Sequence, residues 1–130
     1  AICNDRYQSK NVVAGADADK QDYLNKADIV LNTGAAGIQL MSDENIKKSS
    51  NLKICADTNA VPPSGIAGVD VMDSGKIMEK SPNKCRGIGA LAIGNVKYKS
   101  QHECLKLMYT SDDPVYLDFE DAFKFAQKSV

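Results

Sequence analysis

Several residues and motifs that often reveal a protein's chemistry are missing from this sequence of 130 residues. It contains no tryptophan and one histidine, His102, and its four cysteines are scattered without a Cys-x-x-Cys pair. A single histidine with no second ligand or nucleophile defines no site, so we predict no metal centre and interpret His102 as a surface or helix-capping residue. The motifs G-x-S-x-G and H-E-x-x-H and the Walker loop are also absent, so hydrolysis, zinc catalysis and phosphoryl transfer lack support.

An excess of charge and a long apolar run are missing as well. The 16 Lys and Arg residues nearly balance the 17 Asp and Glu residues, and a net charge of -1 creates no global field that would recruit nucleic acid or an anionic membrane. The apolar runs are far shorter than the ~20 residues that cross a bilayer, and no signal-peptide pattern opens the chain. We therefore expect a cytoplasmic protein with reduced thiols, in which Cys55 and Cys104 are small buried hydrophobic residues.

The glycine-rich fingerprint G-x-G-x-x-G of dinucleotide-binding folds is absent too, although the chain alternates between strand and helix patterns. Residues 1–3 resemble a strand, and only residues 7–10 separate the polar turn that follows them from a second strand candidate at residues 11–15. A parallel crossover needs roughly a dozen residues. With 43% hydrophobic and 25% charged residues the chain suits one domain. We predict an α/β fold, a Rossmann-like parallel sheet with flanking helices that lacks its first βα unit, so that residues 1–130 form a truncated dinucleotide-binding domain.

Two apolar runs predict the centre of the sheet. Residues 29–33 and 52–57 are predicted as adjacent, interior, parallel strands, because both are apolar and one helix, capped by Ser42, separates them. A short strand is predicted at residues 68–72 and helices at residues 20–26 and 100–109, so that residues 95–130 form a helical C-terminal return. The last helix begins after Asp118, and its apolar stripe, which includes Phe119 and Phe123, is predicted to be buried.

Small and polar residues follow the carboxyl ends of these two strands, where open α/β sheets bind ligands. The turn at residues 34–37 offers backbone N–H groups to a pyrophosphate or a ribose, although a strand-to-helix turn also needs small residues for packing alone. Asn59, just beyond the second strand, is a candidate to hydrogen-bond a carboxamide. The predicted cofactor-binding residues of these two segments are Thr33, Gly34, Ala35, Ala36 and Gly37 in the first, and Asp57, Asn59, Ala60 and Pro63 in the second.

Two further segments carry charges that suit a dinucleotide cofactor or a substrate. Asp5 and Arg6 stand where a dinucleotide fold reads the adenosine ribose, and a carboxylate there favours NAD whereas a guanidinium pairs with the 2′-phosphate of NADP. These residues leave the choice open, and Lys10 nearby shifts it towards NADP. Lys97 and Lys99 would place both ammonium groups on one side if this stretch were extended, but such lysines are also ordinary residues of a solvated face.

Three longer segments carry a resemblance to a known family: ADIVLNTGAAGIQL, ICADTNAVPPSGIAGVDVMD and GIGALAIGNVKYKSQHECLKLM. Together they resemble the C-terminal, nucleotide-binding portion of the NADP-dependent methylene-tetrahydromethanopterin and methylene-tetrahydrofolate dehydrogenases of one-carbon metabolism. The run D-x-N-A-x-P-P-x-G-I-x-G is the most specific part, and the likeness covers residues 1–130. It implies an N-terminal, pterin-binding domain, which we expect this chain to lack.

The resemblance implies hydride transfer between methylene-tetrahydromethanopterin, or methylene-tetrahydrofolate, and NADP. Loss of the hydride leaves a cation delocalised over N–C–N, so catalysis depends on positioning and needs no dedicated acid or base. By the same resemblance, residues 34–37 and 59–63 would shape the nicotinamide side and Arg6 the phosphate side. Lys97 or Lys99 would reach towards the pterin or the nicotinamide amide, in a positioning role.

Two alternatives remain open at this point. The chain could be a non-catalytic nucleotide-binding or assembly module that pairs with another copy or another protein, as a homo-oligomer would. It could also be a different enzyme on a similar domain, of the shikimate or bifunctional folate dehydrogenase type. The D-x-N-A-x-P-P run argues against the second alternative.

Overall fold

The computed structural model describes Gln8 and residues 10–129, which fold into a four-stranded sheet with helices beside it. A 3-10 turn at Asp17–Asp19 leads into helix α1 (Lys20–Leu24), strand β1 (Ile29–Asn32), helix α2 (Asp43–Lys48) and strand β2 (Ile54–Asp57). Strands β3 (Ser74–Ile77) and β4 (Arg86–Ile88) follow, and then helices α3 (Ala90–Thr110) and α4 (Phe119–Gln127). This confirms the predicted α/β, Rossmann-like class.

The sheet has the order β1-β2-β4-β3, with β1, β2 and β4 parallel and β3 antiparallel to β4. The register pairs Ile29 with Ile54 and Asn32 with Asp57, so β1 and β2 end side by side. The adjacent, parallel arrangement of these two strands was predicted correctly. The prediction that both are interior is wrong, because β1 lies at one edge of the described sheet. An apolar run shows that a strand can be covered, but not that it has a neighbour on each side.

The buried core lies on one side of β1 and on β2. Val30 packs against this core, whereas Ile29 and Leu31, which point to the opposite face, are 56% and 71% exposed. Because side chains alternate between the two faces of a strand, one apolar face of β1 is exposed. The buried hydrophobic cluster consists of Leu24, Met41, Ile46, Leu52, Cys55, Ile66, Val69, Met78 and Cys85.

Local signals place the ends of two helices where the sequence predicts them. The Ser42 hydroxyl accepts the backbone N–H of Asn45, and the Asn45 side chain accepts the Ser42 backbone N–H, which forms a capping box at α2. The Asp118 carboxylate likewise accepts the N–H groups of Glu120 and Asp121 at the start of α4. Both caps were predicted from the sequence.

Other predicted elements differ from the structure. Residues 11–16 and 67–72 form no strand, and turns lie at residues 67–68 and 71–72. Strand β3, which was not predicted, pairs with β4 as a short antiparallel edge strand. Helix α3 begins at Ala90, ten residues before the predicted helix at residue 100. Phe119 and Phe123 are 70% and 62% exposed, so the prediction that α4 buries them is wrong. Among the described residues, no helix is long and apolar enough to cross a membrane.

Candidate functional site

The carboxyl ends of β1 and β2 carry two buried polar side chains in contact. Asn32 and Asp57 are 7% and 1% exposed, and the Asn32 Nδ2 atom donates to Asp57 Oδ1 over 2.7 Å. This contact follows directly from the register that pairs the two residues. Because burying polar groups is costly unless they are hydrogen-bonded, the pair is a specific feature of this sheet edge rather than incidental packing.

Asp57 organises the loop that follows β2. Its Oδ1 atom also accepts the backbone N–H of Asn59 at 3.0 Å, and its Oδ2 atom accepts the backbone N–H of Ile66 at 2.9 Å. One carboxylate therefore holds both ends of the segment 58–66. Asp57 was predicted as a cofactor-binding residue, and the structure shows it to be a buried support for the loop.

Asn59 joins this loop to the turn after β1. Its side-chain oxygen accepts the backbone N–H groups of Gly37 (3.3 Å) and Val61 (3.0 Å), and its nitrogen donates to the Pro63 carbonyl (3.1 Å). Asn59 is 5% exposed. The amide predicted to bind a carboxamide thus already has partners on both of its atoms, and its main contribution is to fasten the two loops together.

The turn at residues 33–37 is held at both glycines. Gly34 donates its N–H to the Asn32 side-chain oxygen at 3.1 Å, and Gly37, at a φ of +75°, donates its N–H to Asn59. A positive φ suits glycine at this position. The two glycine N–H groups therefore point into the protein, while Thr33, Ala35 and Ala36 are exposed at the surface of the turn.

Gly65 lies directly against this polar cluster. A Cβ atom at Gly65 would lie 1.8 Å from Asn32 Nδ2 and 2.9 Å from Asp57 Oδ1, so a larger residue has no room. The Gly65 carbonyl accepts the N–H groups of Leu40 and Met41, which connects the loop to the start of α2. Asp57, Asn59 and Gly65 of the D-x-N-A-x-P-P-x-G-I-x-G run therefore each have a structural role in this loop.

A cavity of about 300 Å³ lies beside the same loop. Its volume is at the lower end of the ~300–1,000 Å³ range of ligand pockets, so it suits one ring or one small group. Ala60 and Pro63 are exposed, and Ala60 lines the cavity. The lining residues are Asn59, Ala60, Val61, Pro62, Ser64, Val69, Asp70 and Val71.

The two predicted catalytic lysines lie on a helix rather than on an extended segment. Lys97 and Lys99 belong to α3, so the stretch is not extended, and on a helix residues two apart point in nearly opposite directions. Both are exposed. Lys97 lines an apolar cleft of about 750 Å³ between α3 and α4, whose walls include Ile93, Val96 and Phe123. Lys97 lies about 10 Å along α3 from the helix start, given a rise of ~1.5 Å per residue.

The other predicted site residues are placed as follows. Asp5 and Arg6 lie outside the described residues. His102 is exposed, with its ring stacked on Tyr98 and its Nδ1 atom 3.5 Å from Glu103, which fits the predicted surface role. Asn32 and Gly65 were not predicted as site residues, although the pattern Asn-x-Gly at the end of an apolar strand was a signal for Asn32.

Three described cysteines carry free thiols. Cys55 and Cys85, on and next to adjacent strands, are fully buried with their Sγ atoms 3.4 Å apart. Burial raises the pKa of both thiols, which disfavours the reactive thiolate. Cys55 is buried as predicted, whereas Cys104 is only half-buried, so the prediction for Cys104 is wrong.

A mostly parallel sheet with loops that follow neighbouring strands defines a Rossmann-like class of α/β domain. Sequence comparison shows which proteins of that class the chain is similar to. It is 41% identical over 103 residues to an NAD(P)-dependent methylenetetrahydromethanopterin dehydrogenase of Methylorubrum extorquens, and 34% identical over 112 residues to the bifunctional protein MdtA of the same organism. The resemblance seen in the sequence to the methylene-tetrahydromethanopterin dehydrogenases is thereby confirmed.

These matches cover 79% and 86% of this chain but 34% and 37% of the relatives. The chain thus spans about a third of the length of the curated relatives that it matches. No protein-family model matches the sequence.

Proposed function

We propose that the chain is the nucleotide-binding part of a dehydrogenase that transfers a hydride between methylene-tetrahydromethanopterin, or methylene-tetrahydrofolate, and NADP. The observation that carries this proposal is the contact of the Asn59 side chain with both the turn after β1 and the loop after β2. Both segments lie at the carboxyl ends of parallel strands, where open α/β sheets bind ligands. The 41% identity to an NAD(P)-dependent methylenetetrahydromethanopterin dehydrogenase supports the substrate class.

The described residues suit the nicotinamide end of the cofactor better than its pyrophosphate. The N–H groups of Gly34 and Gly37, which would otherwise bind a phosphate, already donate to Asn32 and Asn59. The cavity beside Asn59 is large enough for a single ring, and the exposed Ala60 leaves its entrance open. We therefore assign residues 33–37 and 59–63 to the nicotinamide side, Asp5 to the adenosine ribose and Arg6 to its 2′-phosphate.

The role of the chain's residues in this reaction is to position the nicotinamide ring and to exclude water. When bound, the nicotinamide accepts the hydride, and the pterin cation that remains is stabilised by its two nitrogens, so no proton carrier is required. Asn59 and Asp57 hold the loop that faces the ring, and the small side chains of Ala35, Ala36 and Ala60 leave room for close approach. Such fixed geometry is the main source of rate for a reaction of this kind.

The test is NADP reduction with methylene-tetrahydromethanopterin and with methylene-tetrahydrofolate, measured on the full-length polypeptide and on the 130-residue chain. We expect activity from the full-length polypeptide with at least one pterin, and weak or absent cofactor binding by the chain alone. Absence of activity with both pterins would reject the proposal. Full activity of the 130-residue chain would show that the active site needs nothing from the remaining two thirds of the relatives' length.

The lysines of α3 provide a second part of this test. Lys97→Ala and Lys99→Ala should each lower turnover without adding a limb to the pH profile, since neither is assigned an obligatory proton transfer. A new ionisation in either profile would contradict a purely positioning role.

A non-catalytic assembly module is the second candidate, and the exposed apolar residues favour it. Ile29 and Leu31 on the edge strand and Phe119 and Phe123 on α4 are all more than half exposed. On each of these two elements, neighbouring apolar residues stay uncovered, and exposed apolar surface of this kind often marks a contact with another protein. Two measurements separate the candidates: sedimentation of the chain over a range of concentrations, and NADP binding by the full-length polypeptide. Assembly that increases with concentration, together with no NADP binding, would favour the module.

A further inference from the structure

The Asn32 side chain connects both loops of the candidate site. Its nitrogen donates to Asp57, which holds the loop after β2, and its oxygen accepts from Gly34 in the turn after β1. Its backbone carbonyl accepts both the N–H of Thr58 (3.1 Å) and the Thr58 hydroxyl (3.0 Å). Every one of these contacts joins the end of β1 to a segment that faces the proposed ligand.

Stability of the strand alone does not require this residue type. The three residues of β1 that precede it are Ile, Val and Leu, and a buried amide is costly where an apolar side chain of similar size would pack without partners. The cost is offset here because each atom of the Asn32 amide has a partner on a different segment. Buried polar networks of this kind fix one arrangement of the groups that they join.

Gly65 provides independent support, because it leaves space at its Cα atom for the Asn32 amide. A Cβ atom there would lie 1.8 Å from Asn32 Nδ2. The Gly65 position in the D-x-N-A-x-P-P-x-G run is therefore explained by the position of an amide 33 residues earlier in the chain. The loop sequence and the residue at the end of β1 form one unit.

We propose that Asn32 is a positioning residue for nicotinamide dinucleotide binding, which sets the Gly34 turn relative to the Asp57 loop. The proposal rests on the proposed function for its ligand, but the coupling of the two loops can be measured without any ligand. Asn32 touches neither cofactor nor substrate in this assignment. It acts through Gly34 and Asp57.

Asn32→Asp is the most direct test. The variant keeps an oxygen that accepts from Gly34, but it replaces the donor to Asp57 by an acceptor at 2.7 Å, where two carboxyl groups repel. In the full-length polypeptide we expect the Kd for NADP to rise about tenfold or more, the scale of losing one hydrogen bond to a charged group. Asn95→Asp, at an exposed position of α3, is the matched control and should leave the Kd unchanged.

Gly65→Ala tests the same unit without changing a polar atom. The added methyl group displaces the Asn32 amide, so the variant should raise the Kd for NADP as Asn32→Asp does. The control is Gly94→Ala, at a position with nothing within 4 Å of the new Cβ atom. Because both variants act on one contact, the double variant Asn32→Asp/Gly65→Ala should lose less affinity than the sum of the single losses.

Hydrogen exchange separates this proposal from the proposed function. Repulsion from Asp57 in Asn32→Asp, and the added methyl group in Gly65→Ala, should move the side chain at residue 32 away from the Gly34 N–H. The peptide that contains Gly34 should therefore exchange faster in both variants than in the wild-type polypeptide, with no ligand present. If the wild type binds no dinucleotide while this exchange rises, the proposed function is wrong and the coupling stands. If Asn32→Asp lowers the Tm but changes neither the Kd nor the exchange of this peptide, Asn32 is only a structural residue and the proposal is overturned.

Discussion

Gly89, which precedes α3, lies against the backbone of Asp70, and a Cβ atom at Gly89 would be 2.0 Å from the Asp70 carbonyl oxygen. Two hydrogen bonds keep the backbones together at this point: Gly89 N–H donates to the Asp73 carbonyl at 2.8 Å, and Leu91 N–H donates to the Val71 carbonyl at 2.9 Å. The start of α3 is therefore fixed against the segment 69–73. Since Asp70 and Val71 line the cavity beside Asn59, this contact also shapes the candidate site.

We predict that Gly89→Ala destabilises the protein by about 2–4 kcal/mol. The methyl group would meet backbone atoms, which can move only if the two hydrogen bonds to residues 71 and 73 lengthen. Gly94→Ala, in the second turn of α3 with open space at its Cβ, should be neutral or stabilising by up to ~1 kcal/mol. Urea denaturation of the two variants measures the difference, and equal stabilities would contradict the close approach at Gly89.

The elements that were predicted correctly depend on signals between residues close in sequence. Ser42 and Asp118 begin helices because their side chains bond N–H groups two or three residues further on, and such patterns are visible in the sequence itself. Strand β3 depends instead on its antiparallel pairing with β4 and has a half-exposed Gly75 and an exposed Lys76, so its four residues give almost no local signal. Residues that form an edge strand through pairing are difficult to recognise from periodicity.

The structure places residues 34–37 and 57–63 side by side at the ends of β1 and β2, and their role in binding stays a prediction. The position of residues 34–37 and 57–63 at the ends of parallel strands follows from the strand pattern. Which atoms face a ligand does not follow, because the contact of Asn32 with Asp57 depends on the strand register and the contact of Asn59 with Gly37 depends on the course of the loop. The orientation of Lys97 and Lys99 could not be predicted either, because it depends on where α3 begins. The helix starts at Ala90, so the two lysines lie on a helix and not on an extended segment.

We predict a large difference in stability between Ile66→Ala and Phe123→Ala in the 130-residue chain. Ile66 is fully buried in the core, so its truncation should cost about 2–5 kcal/mol. Phe123 is 62% exposed, and its truncation should cost less than ~1 kcal/mol. Thermal unfolding measures both values. A cost for Phe123→Ala that approaches the cost for Ile66→Ala would mean that the stripe on α4 is covered in solution.

The buried thiols should resist modification while the protein is folded. In a Cys3→Ser variant, iodoacetamide should modify Cys104, which is half-buried, much faster than Cys55 and Cys85, which are fully buried with raised pKa values. After denaturation all three should react at similar rates. Rapid native modification of Cys55 or Cys85, located by peptide mass mapping, would contradict their burial between the strands.

The same thiols should contribute a pH dependence to stability. The pKa of each thiol is raised in the folded state, mainly by desolvation, so their contribution is fully present below the unfolded value of about 8.5 and declines as the pH rises above it. The decline is at most about 1.4 kcal/mol per thiol for each pH unit. The stability difference between the wild type and Cys55→Ala/Cys85→Ala should therefore shrink between pH 8 and pH 10, and a constant difference would count against the raised pKa values.

We predict that Arg6 makes the protein bind NADP more tightly than NAD. In the full-length polypeptide, Arg6→Ala should weaken NADP binding by about 1–3 kcal/mol, the scale of a charge-assisted hydrogen bond to the 2′-phosphate, and should leave NAD binding almost unchanged. Lys47→Ala, an exposed lysine of α2, is a control for the loss of one positive charge. Titration with both dinucleotides measures the effect, and equal losses for NADP and NAD would remove the argument for NADP.

Asn59 is predicted to matter more for activity than either lysine of α3. Asn59→Ala leaves the N–H groups of Gly37 and Val61 without their acceptor, which should destabilise the loops by about 1–3 kcal/mol and lower kcat/KM more than Lys97→Ala does. Asn59→Asp separates the two functions of the side chain, because it keeps the acceptor for Gly37 and Val61 but removes the donor to the Pro63 carbonyl. If the link between the two loops is what the reaction needs, Asn59→Asp should retain most of the activity that Asn59→Ala loses. Steady-state kinetics of NADP reduction measures both variants, and equal losses would assign the effect to the nitrogen of Asn59 rather than to its oxygen.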